Sequence, residues 1–218
     1  MLTRTTIKTS ATVLFLCASG VCAAAKADTT VDARYGLFGW SAGGGLEVAT
    51  KLSDHTSAKL LLTDTNRNYT DTYSDVDYHL NYKLRTAGLL LDWRPGGGVF
   101  HLTGGLLYND RQSMVGTASG NVDVNGTTYT NVGVKAEVTW DQRVIPFVGL
   151  GWGSRSKGFA WSVDAGIGFG GNINVKITQT SGTHIDQGQL DAEEDDAKDD
   201  LDFMRRQPMI SFGLGWTF

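Results

Sequence analysis

Charged side chains of both signs occupy one face of several segments whose opposite face is apolar. In a β-strand, residues two apart share a face. Acids and bases that face each other in a narrow space are expected to pair, because an unpaired buried charge is costly. The candidate interior charges are Glu47, Lys51, Lys59, Asp92, Arg94, Lys135, Glu137, Asp141, Arg143 and Asp164, with Arg85 and His101 on the same faces.

Two kinds of chemistry are open to such a set of charges. Mutual ion pairs would fill the interior and form a plug that carries no solute. A small zwitterionic or cationic solute would instead exchange its charges with those pairs and pass along a constricted path. The residue types leave both possibilities open.

Three other patterns carry weaker signals. His101 and Thr103 share a face but have no evident partner set for nucleophilic catalysis, so the sequence favours a protein that is not an enzyme. The acidic run at 191–202 lacks the residue order and the central glycine of a calcium loop, and it favours a solvated helix or loop. The glycines of 149–153 and 166–170 recur every second residue, which indicates the slim face of a strand and not a phosphate-binding loop. We therefore expect no cofactor and no metal.

The last eleven residues give the clearest view of the elements that position these charges. Large apolar residues alternate with small or polar ones from 208 to 218, which predicts a strand with one lipid-compatible face. The segment resembles the C-terminal strand, ending in Phe, that marks outer-membrane barrels for their assembly machinery. Trp216 and Phe218 would carry that signal.

The same alternation predicts eight strands along the chain. They cover 34–39, 44–52, 57–68, 78–94, 99–114, 132–152, 159–178 and 208–218, with a bulge near Arg85-Thr86 and a bulge or break at Pro146. Long polar connections at 64–77, 110–132 and 179–207 alternate with short ones at 53–56, 95–98 and 154–158. The second long connection would hold a hairpin at Asn125-Gly126, and the third a helix that ends at Arg205-Arg206. An even strand number with this asymmetry predicts an all-β, eight-stranded antiparallel transmembrane β-barrel with long extracellular loops.

The N-terminus predicts export. Arg4 and Lys8 precede an apolar stretch, and Ala25-Lys26-Ala27 forms a cleavage site, so residues 1–27 are interpreted as a signal peptide. Both cysteines lie in that segment, so the mature chain would have no disulfide. Removing three of the 19 basic residues leaves 16 against 23 acidic ones, a formal charge of −7, which argues against nucleic acid as a partner. No later apolar run is long enough for a spanning helix, which leaves a closed barrel as the way to cross a bilayer.

Several motifs, in order, resemble a family of small outer-membrane barrels that includes the carbapenem-resistance-associated porin CarO. They are Leu89-Leu90-Leu91-Asp92-Trp93-Arg94-Pro95, Gly104-Gly105-Leu106-Leu107-Tyr108-Asn109-Asp110, Val124-Asn125-Gly126-Thr127-Thr128-Tyr129 and Ile145-Pro146-Phe147-Val148-Gly149-Leu150-Gly151-Trp152-Gly153, followed by the acidic segment. The resemblance covers most of the mature chain. It implies an eight-stranded barrel, a sizeable extracellular part and passage of small amino acids such as ornithine.

Together these patterns predict a single barrel domain, residues 28–218, in the bacterial outer membrane. Its expected function is that of a narrow porin-like channel for small solutes such as basic or small amino acids. The alternative is a closed structural or adhesion barrel that presents 110–132 and 179–207 outside the cell, and a lipid-modifying barrel enzyme is a more distant third. The expected partners are outer-membrane lipid, the barrel-assembly machinery and small solutes, and the expected state is a monomer.

Overall fold

The structure is a computed structural model that describes residues 29–39, 41–73, 76–124, 126–154 and 156–218. The predicted signal peptide lies outside the described residues. The described chain forms ten β-strands, one α-helix and one 3-10 helix. They are β1 (Thr29–Phe38), β2 (Ser41–Lys51), β3 (Thr56–Tyr73), β4 (Val76–Trp93), β5 (Phe100–Val124), β6 (Thr127–Trp140), β7 (Val144–Ser154), β8 (Gly158–Phe169), β9 (Ile173–Ser181), α1 (Gln187–Asp200), the 3-10 helix (Asp202–Arg205) and β10 (Arg206–Thr217).

Eight of these strands close into a ring. The hydrogen-bonded order is β1-β2-β3-β4-β5-β7-β8-β10, and β10 pairs with β1 to complete it. Every pairing is antiparallel. The predicted eight-stranded antiparallel barrel is therefore confirmed. We call the end at which β1 begins and β10 finishes the terminal end, and the opposite end the distal end.

The outer face of the ring is apolar over the part nearest the terminal end. In β8, for example, the exposed residues are Phe159, Trp161, Val163, Ile167 and Phe169. Water contact over such a band would cost about 25 cal/mol per Å², whereas lipid tails accept it. The interior face of the same strands carries the polar residues, as expected for a transmembrane barrel.

The face of β4 that carries the large apolar residues changes along the strand. Leu89 and Leu91 point outward near the terminal end, whereas Tyr82 and Leu84 point inward and are buried. The strand is continuous between these residues, since its even-numbered side chains face the interior from Tyr82 to Asp92. The apolar face changes because the outside of the strand passes from lipid to water while its inside becomes a packed core.

The register shift expected near Arg85-Thr86 is present in the β4–β5 ladder. Arg85 pairs with Arg111 and Thr86 with Asn109, so the extra residue is Asp110 of β5. The bulge therefore lies in the partner strand and not in β4. It marks the level at which the two strands leave the apolar band.

The distal part contains more strand than the sequence predicted. The polar segments 64–77 and 110–132 are mostly continuations of β3, β4, β5 and β6, and not loops. Their polarity reflects strand faces that meet water beyond the lipid. The hairpin between β5 and β6 is confirmed by the Val124–Thr127 pair, although Asn125 lies outside the described residues.

The prediction of one strand over 132–152 is wrong, and so is that of one strand over 159–178, where β8 ends at Phe169 and β9 begins at Ile173. The chain leaves β6 after Trp140 and starts β7 at Val144, so β6 pairs with the distal half of β5 while β7 pairs with its terminal half. The two strands share a parity, which hid the break. Pro146 lies within β7 in continuous register, paired with Leu106.

The acidic segment is helical, as expected, although α1 ends at Asp200 and the 3-10 helix continues to Arg205. Helix α1 packs on β9, the edge strand beside β6. Among the residues that the structure describes, no helix is long and apolar enough to cross a membrane.

Candidate functional site

Six ionisable side chains meet inside the barrel near the middle of its lipid-facing band. They come from six different strands of the ring, and all are buried. We call them the charged layer: Arg34 (β1), Glu47 (β2), Lys59 (β3), Asp92 (β4), His101 (β5) and Asp164 (β8).

The Arg34 guanidinium donates hydrogen bonds to side chains of three other strands. Its Nη2 donates to Glu47 Oε1 at 3.0 Å and its Nη1 to Asp164 Oδ2 at 2.5 Å. The same two nitrogens also donate to the hydroxyls of Ser162 and Ser211, each at 2.9 Å. The guanidinium thus ties β1 to β2, β8 and β10 with the charge-assisted hydrogen bonds that its planar fork favours.

Lys59 and His101 complete the network on the opposite side. Lys59 Nζ lies 2.8 Å from Asp92 Oδ1, 3.5 Å from Asp164 Oδ1 and 3.8 Å from Glu47 Oε2. His101 Nε2 lies 2.7 Å from Asp164 Oδ1 and 3.7 Å from Asp92 Oδ2. Arg34, Lys59 and His101 therefore each contact at least two carboxylates, and such pairing makes buried charge tolerable.

Of the two remaining ring strands, β10 contributes the Ser211 hydroxyl, and β7 contributes space and not charge. Gly151 pairs with His101 and Asp164 across its two ladders. A Cβ at this glycine would lie 2.6 Å from both Asp164 Oδ1 and His101 Nε2. The bare backbone is what allows these two side chains to meet.

Little room is left around the charged layer. The cavity that it lines with Leu61, Leu90, Phe147 and Met209 has a volume of about 10 Å³, whereas one water molecule needs about 10–15 Å³ by the same measure. Those four apolar side chains are buried and lie on the distal side of the charges. The interior is closed in this conformation, as eight-stranded barrels commonly are.

Further polar contacts lie toward both ends of the interior. On the distal side, Asn109 Nδ2 donates to Gln112 Oε1 at 3.0 Å and to Gln207 Oε1 at 3.1 Å. At the terminal end, Thr30 and Thr217 share a hydroxyl hydrogen bond of 2.8 Å. These contacts extend the side-chain filling beyond the charged layer.

Of the residues predicted from sequence, Glu47, Lys59, Asp92, His101 and Asp164 lie in the charged layer. Arg94 is also buried, but it lies at the terminal end, where its Nη1 donates to the carbonyls of Gly98, Val99 and Gly153 at 2.9–3.2 Å. Arg94 therefore stabilises the turn between β4 and β5 and is not part of the charged layer.

The other predicted interior charges do not lie inside the barrel, so the prediction of their position was wrong. Lys51 stands at the end of β2, where the strand meets water, and its Nζ contacts Asp54 at 2.8 Å. That hydrogen bond lowers the pKa of the Asp54 carboxyl below its ordinary value. Lys135 and Glu137 pair at 3.1 Å on the outward face of β6, which is not part of the ring. Asp141 and Arg143 are exposed in the connection between β6 and β7.

Two further sequence expectations concern Arg85 and Arg34. Arg85 points outward and pairs with Asp64 at 3.0 Å, because it lies beyond the apolar band on the face opposite Leu84. Arg34, the centre of the network, was not among the predicted charges. The alternation of Thr30, Asp32 and Arg34 with Val31, Ala33 and Tyr35 is the signal that would have found it.

The hydroxyl groups near His101 form hydrogen bonds with the charged layer. Thr103 donates its hydroxyl hydrogen bond to Asp92 Oδ1 at 2.7 Å, and the Ser162 and Ser211 hydroxyls accept from Arg34. Among the described residues, no group of three or more His, Cys, Asp or Glu side chains is arranged to hold a metal ion.

The terminal strand places Trp216 and Phe218 at the terminal rim. Trp216 points outward and is exposed, and the Phe218 amide donates to the Thr29 carbonyl at 3.0 Å. A role of these two residues in assembly stays a prediction.

Comparison with known proteins identifies the fold. No protein-family model and no curated protein matches the chain. Two solved structures from Acinetobacter baumannii are similar, CarO with a TM-score of 0.63 at 17% identity and CarO2 with 0.61 at 18% identity. Each comparison covers 87% of this chain, with 97% and 98% of the respective neighbour covered. The chain has a CarO-like fold, in agreement with the resemblance in its motifs.

Proposed function

We propose that this protein is an outer-membrane barrel with a sealed interior, which anchors and presents its distal elements at the cell surface. The observation that carries the proposal is the charged layer. Its six side chains are paired with one another, and the cavity that four of them line has a volume of only about 10 Å³. A solute would have to break several buried ion pairs at once, and leaving one such charge without its partner costs about 3–5 kcal/mol.

The distal elements are the part of the molecule with accessible surface beyond the apolar band. They comprise the distal halves of β3, β4 and β5, together with β6, β9 and α1. Helix α1 carries an acidic face that favours contact with cations and with water. In this proposal the barrel holds these elements in place, and they make the contacts outside the cell.

A gated path for small zwitterionic solutes is the second candidate function. The observation in its favour is that the charged layer holds both ammonium and carboxylate groups, which are the partners that the two ends of an amino acid would need. The CarO-like fold is consistent with it. This candidate requires the layer to rearrange, whereas a seal does not.

Single-channel recording in a planar bilayer separates the two functions. The mature protein is refolded, and its folded state is verified by the change in gel mobility on boiling. A sealed barrel gives no steady conductance, with or without ornithine or glycine. Steady conductance that ornithine alters, and that Lys59→Ala changes while Lys135→Ala does not, would overturn the sealed interior and establish the path.

A further inference from the structure

An open groove with both polar and apolar lining residues lies on the outer face of the distal sheet. It has a volume of about 330 Å³, within the range of small-ligand sites. We call it the outer groove, and it is lined by Asn68, Tyr69, Thr70, His79, Leu80, Asn81, Val115 and Thr117.

The strand registers place six of these residues, all except Tyr69 and Leu80, on the side that faces away from the barrel axis. The β3–β4 ladder is unbroken, so Asn68 and Thr70 share the face of the exposed, lipid-facing Leu60 and Leu62. Asn81 pairs with Asn68 and Val115, and His79 pairs with Thr70 and Thr117. The groove is therefore continuous with the lipid-facing surface of the same strands.

The outer face changes its chemistry in a fixed order along these strands. The apolar band ends at Leu62 on β3, and the next outward residue, Asp64, pairs with Arg85. Lys83 is the next outward residue on β4, and it is exposed. Asn81 follows about 7 Å further along the strand. An apolar surface, a charged surface that contains Asp64, Arg85 and Lys83, and the groove thus follow one another within a few residues.

The groove itself offers amide, hydroxyl and imidazole groups. Asn81 Nδ2 donates to Asn68 Oδ1, and Thr70 Oγ1 lies 3.0 Å from His79 Nδ1. An asparagine amide has two donors and an acceptor with two lone pairs, so one mutual bond leaves capacity for a ligand. Such groups suit a ligand rich in hydroxyls.

We propose that the outer groove and the adjacent cations bind a phosphorylated glycolipid of the surrounding membrane leaflet. The acyl chains would cover the apolar band, Lys83 and Arg85 would contact the phosphates, and the groove would accept the sugars. The order of surfaces on the strands matches the order of chemical groups in such a lipid. The inference goes beyond the sealed barrel, and it rests only on the outer-membrane placement in that proposal.

The test measures binding of lipopolysaccharide to the full mature barrel folded in detergent. Lys83→Gln and Asn81→Leu are compared with two matched controls, Lys157→Gln at the terminal-end turn and Asn174→Leu on the outward face of β9. We expect about a fivefold weaker affinity for Lys83→Gln, because a cation near anionic headgroups contributes about that factor. Asn81→Leu should also weaken binding, and both controls should bind like the unchanged protein.

Two competitors identify the source of the binding. Inorganic phosphate and phosphatidylglycerol should compete poorly, since neither carries sugars. Equal binding by all four variants, or full displacement by phosphatidylglycerol, would overturn the glycolipid site. Gel mobility with and without boiling is measured on each sample, so that a barrel that fails to fold, which contradicts the proposed function, is distinguished from a folded barrel that binds no glycolipid.

Discussion

Lys59 illustrates how the charged layer depends on complete pairing. Replacing it by Met removes the cation closest to Asp92 and leaves that buried carboxylate with one partner fewer. We expect Lys59→Met to lower the free energy of unfolding by about 3–5 kcal/mol. Urea unfolding in lipid vesicles, followed by tryptophan fluorescence, measures the change.

The double variant Lys59→Met/Asp92→Asn should lose less stability than the sum of the two single variants, because it removes both members of the pair. Lys135→Met is the matched control. Its pair with Glu137 is 42% exposed on each side, and exposed pairs contribute about 1 kcal/mol or less. A strictly additive double variant would contradict the pairing.

Gly151 tests whether the layer depends on the missing side chain of β7. Gly151→Ala places a methyl group 2.6 Å from both Asp164 Oδ1 and His101 Nε2, and overpacking of this kind costs about 1–3 kcal/mol. Gly98→Ala is the control, because a Cβ there has nothing within 4 Å. The urea midpoint should fall for Gly151→Ala and stay within error for Gly98→Ala. Equal midpoints would show that the interior has room to relax.

At the scale of elements, the edge strand β9 depends on a side chain of α1. The backbone N–H of Ile177 donates to Glu194 Oε1 at 2.7 Å. An unprotected strand edge exposes such donors to water and to other chains. We expect Glu194→Ala to speed hydrogen exchange at Ile177 while exchange in the ring strands stays unchanged.

Asp196→Ala is the control for that experiment, since Asp196 is an exposed acid on the same helix. Similar exchange at Ile177 in both variants would mean that the carboxylate of Glu194 does not protect the edge. The hydrogen bond that Lys198 donates to Asp195 raises the pKa of Lys198 above its ordinary value.

The ring strands were predictable because lipid outside and a polar interior impose strict alternation. Strand β8 shows this most clearly, with every exposed position odd and every buried position even. The distal strands were not predictable to the same degree. Their outer faces meet water, so the polar stretches of β3 and β5 have the composition of loops.

The site was predictable only in part. An odd or even residue number indicates the strand face on which a side chain lies, but not its level along the barrel axis or whether its strand belongs to the ring. Glu137 and Glu47 both sit on polar faces, yet Glu137 belongs to a strand outside the ring. The break between Trp140 and Val144 preserves the parity on both sides and leaves no trace in the pattern. Pairing partners 130 residues apart, such as Arg34 and Asp164, are set by ring closure and not by local sequence.

At the scale of the whole molecule, the seal and the distal elements are separable. The charged layer is built entirely from ring strands, whereas β9 and α1 lie between two strands that are already neighbours, β8 and β10. The backbone amide of Gly170 donates to the Arg205 carbonyl at 2.8 Å. An Asn-Gly turn in place of 171–204 would therefore join β8 to β10 as a short hairpin.

We expect this shortened protein to fold as a barrel and to remain silent in a planar bilayer, because Arg34, Lys59 and Asp164 still close the interior. It should bind an apolar dye, since the deletion removes Met204, whose carbonyl accepts from Trp140 Nε1 at 3.2 Å, together with Ile173 and Val175 from the same core. The full-length protein is the control in both measurements. Steady conductance from the folded, shortened protein would place the barrier in the distal elements. In that case the charged layer would be the lining of a path that the distal elements cover. A charged layer that sealed the interior by itself would have kept it closed after the distal elements were removed.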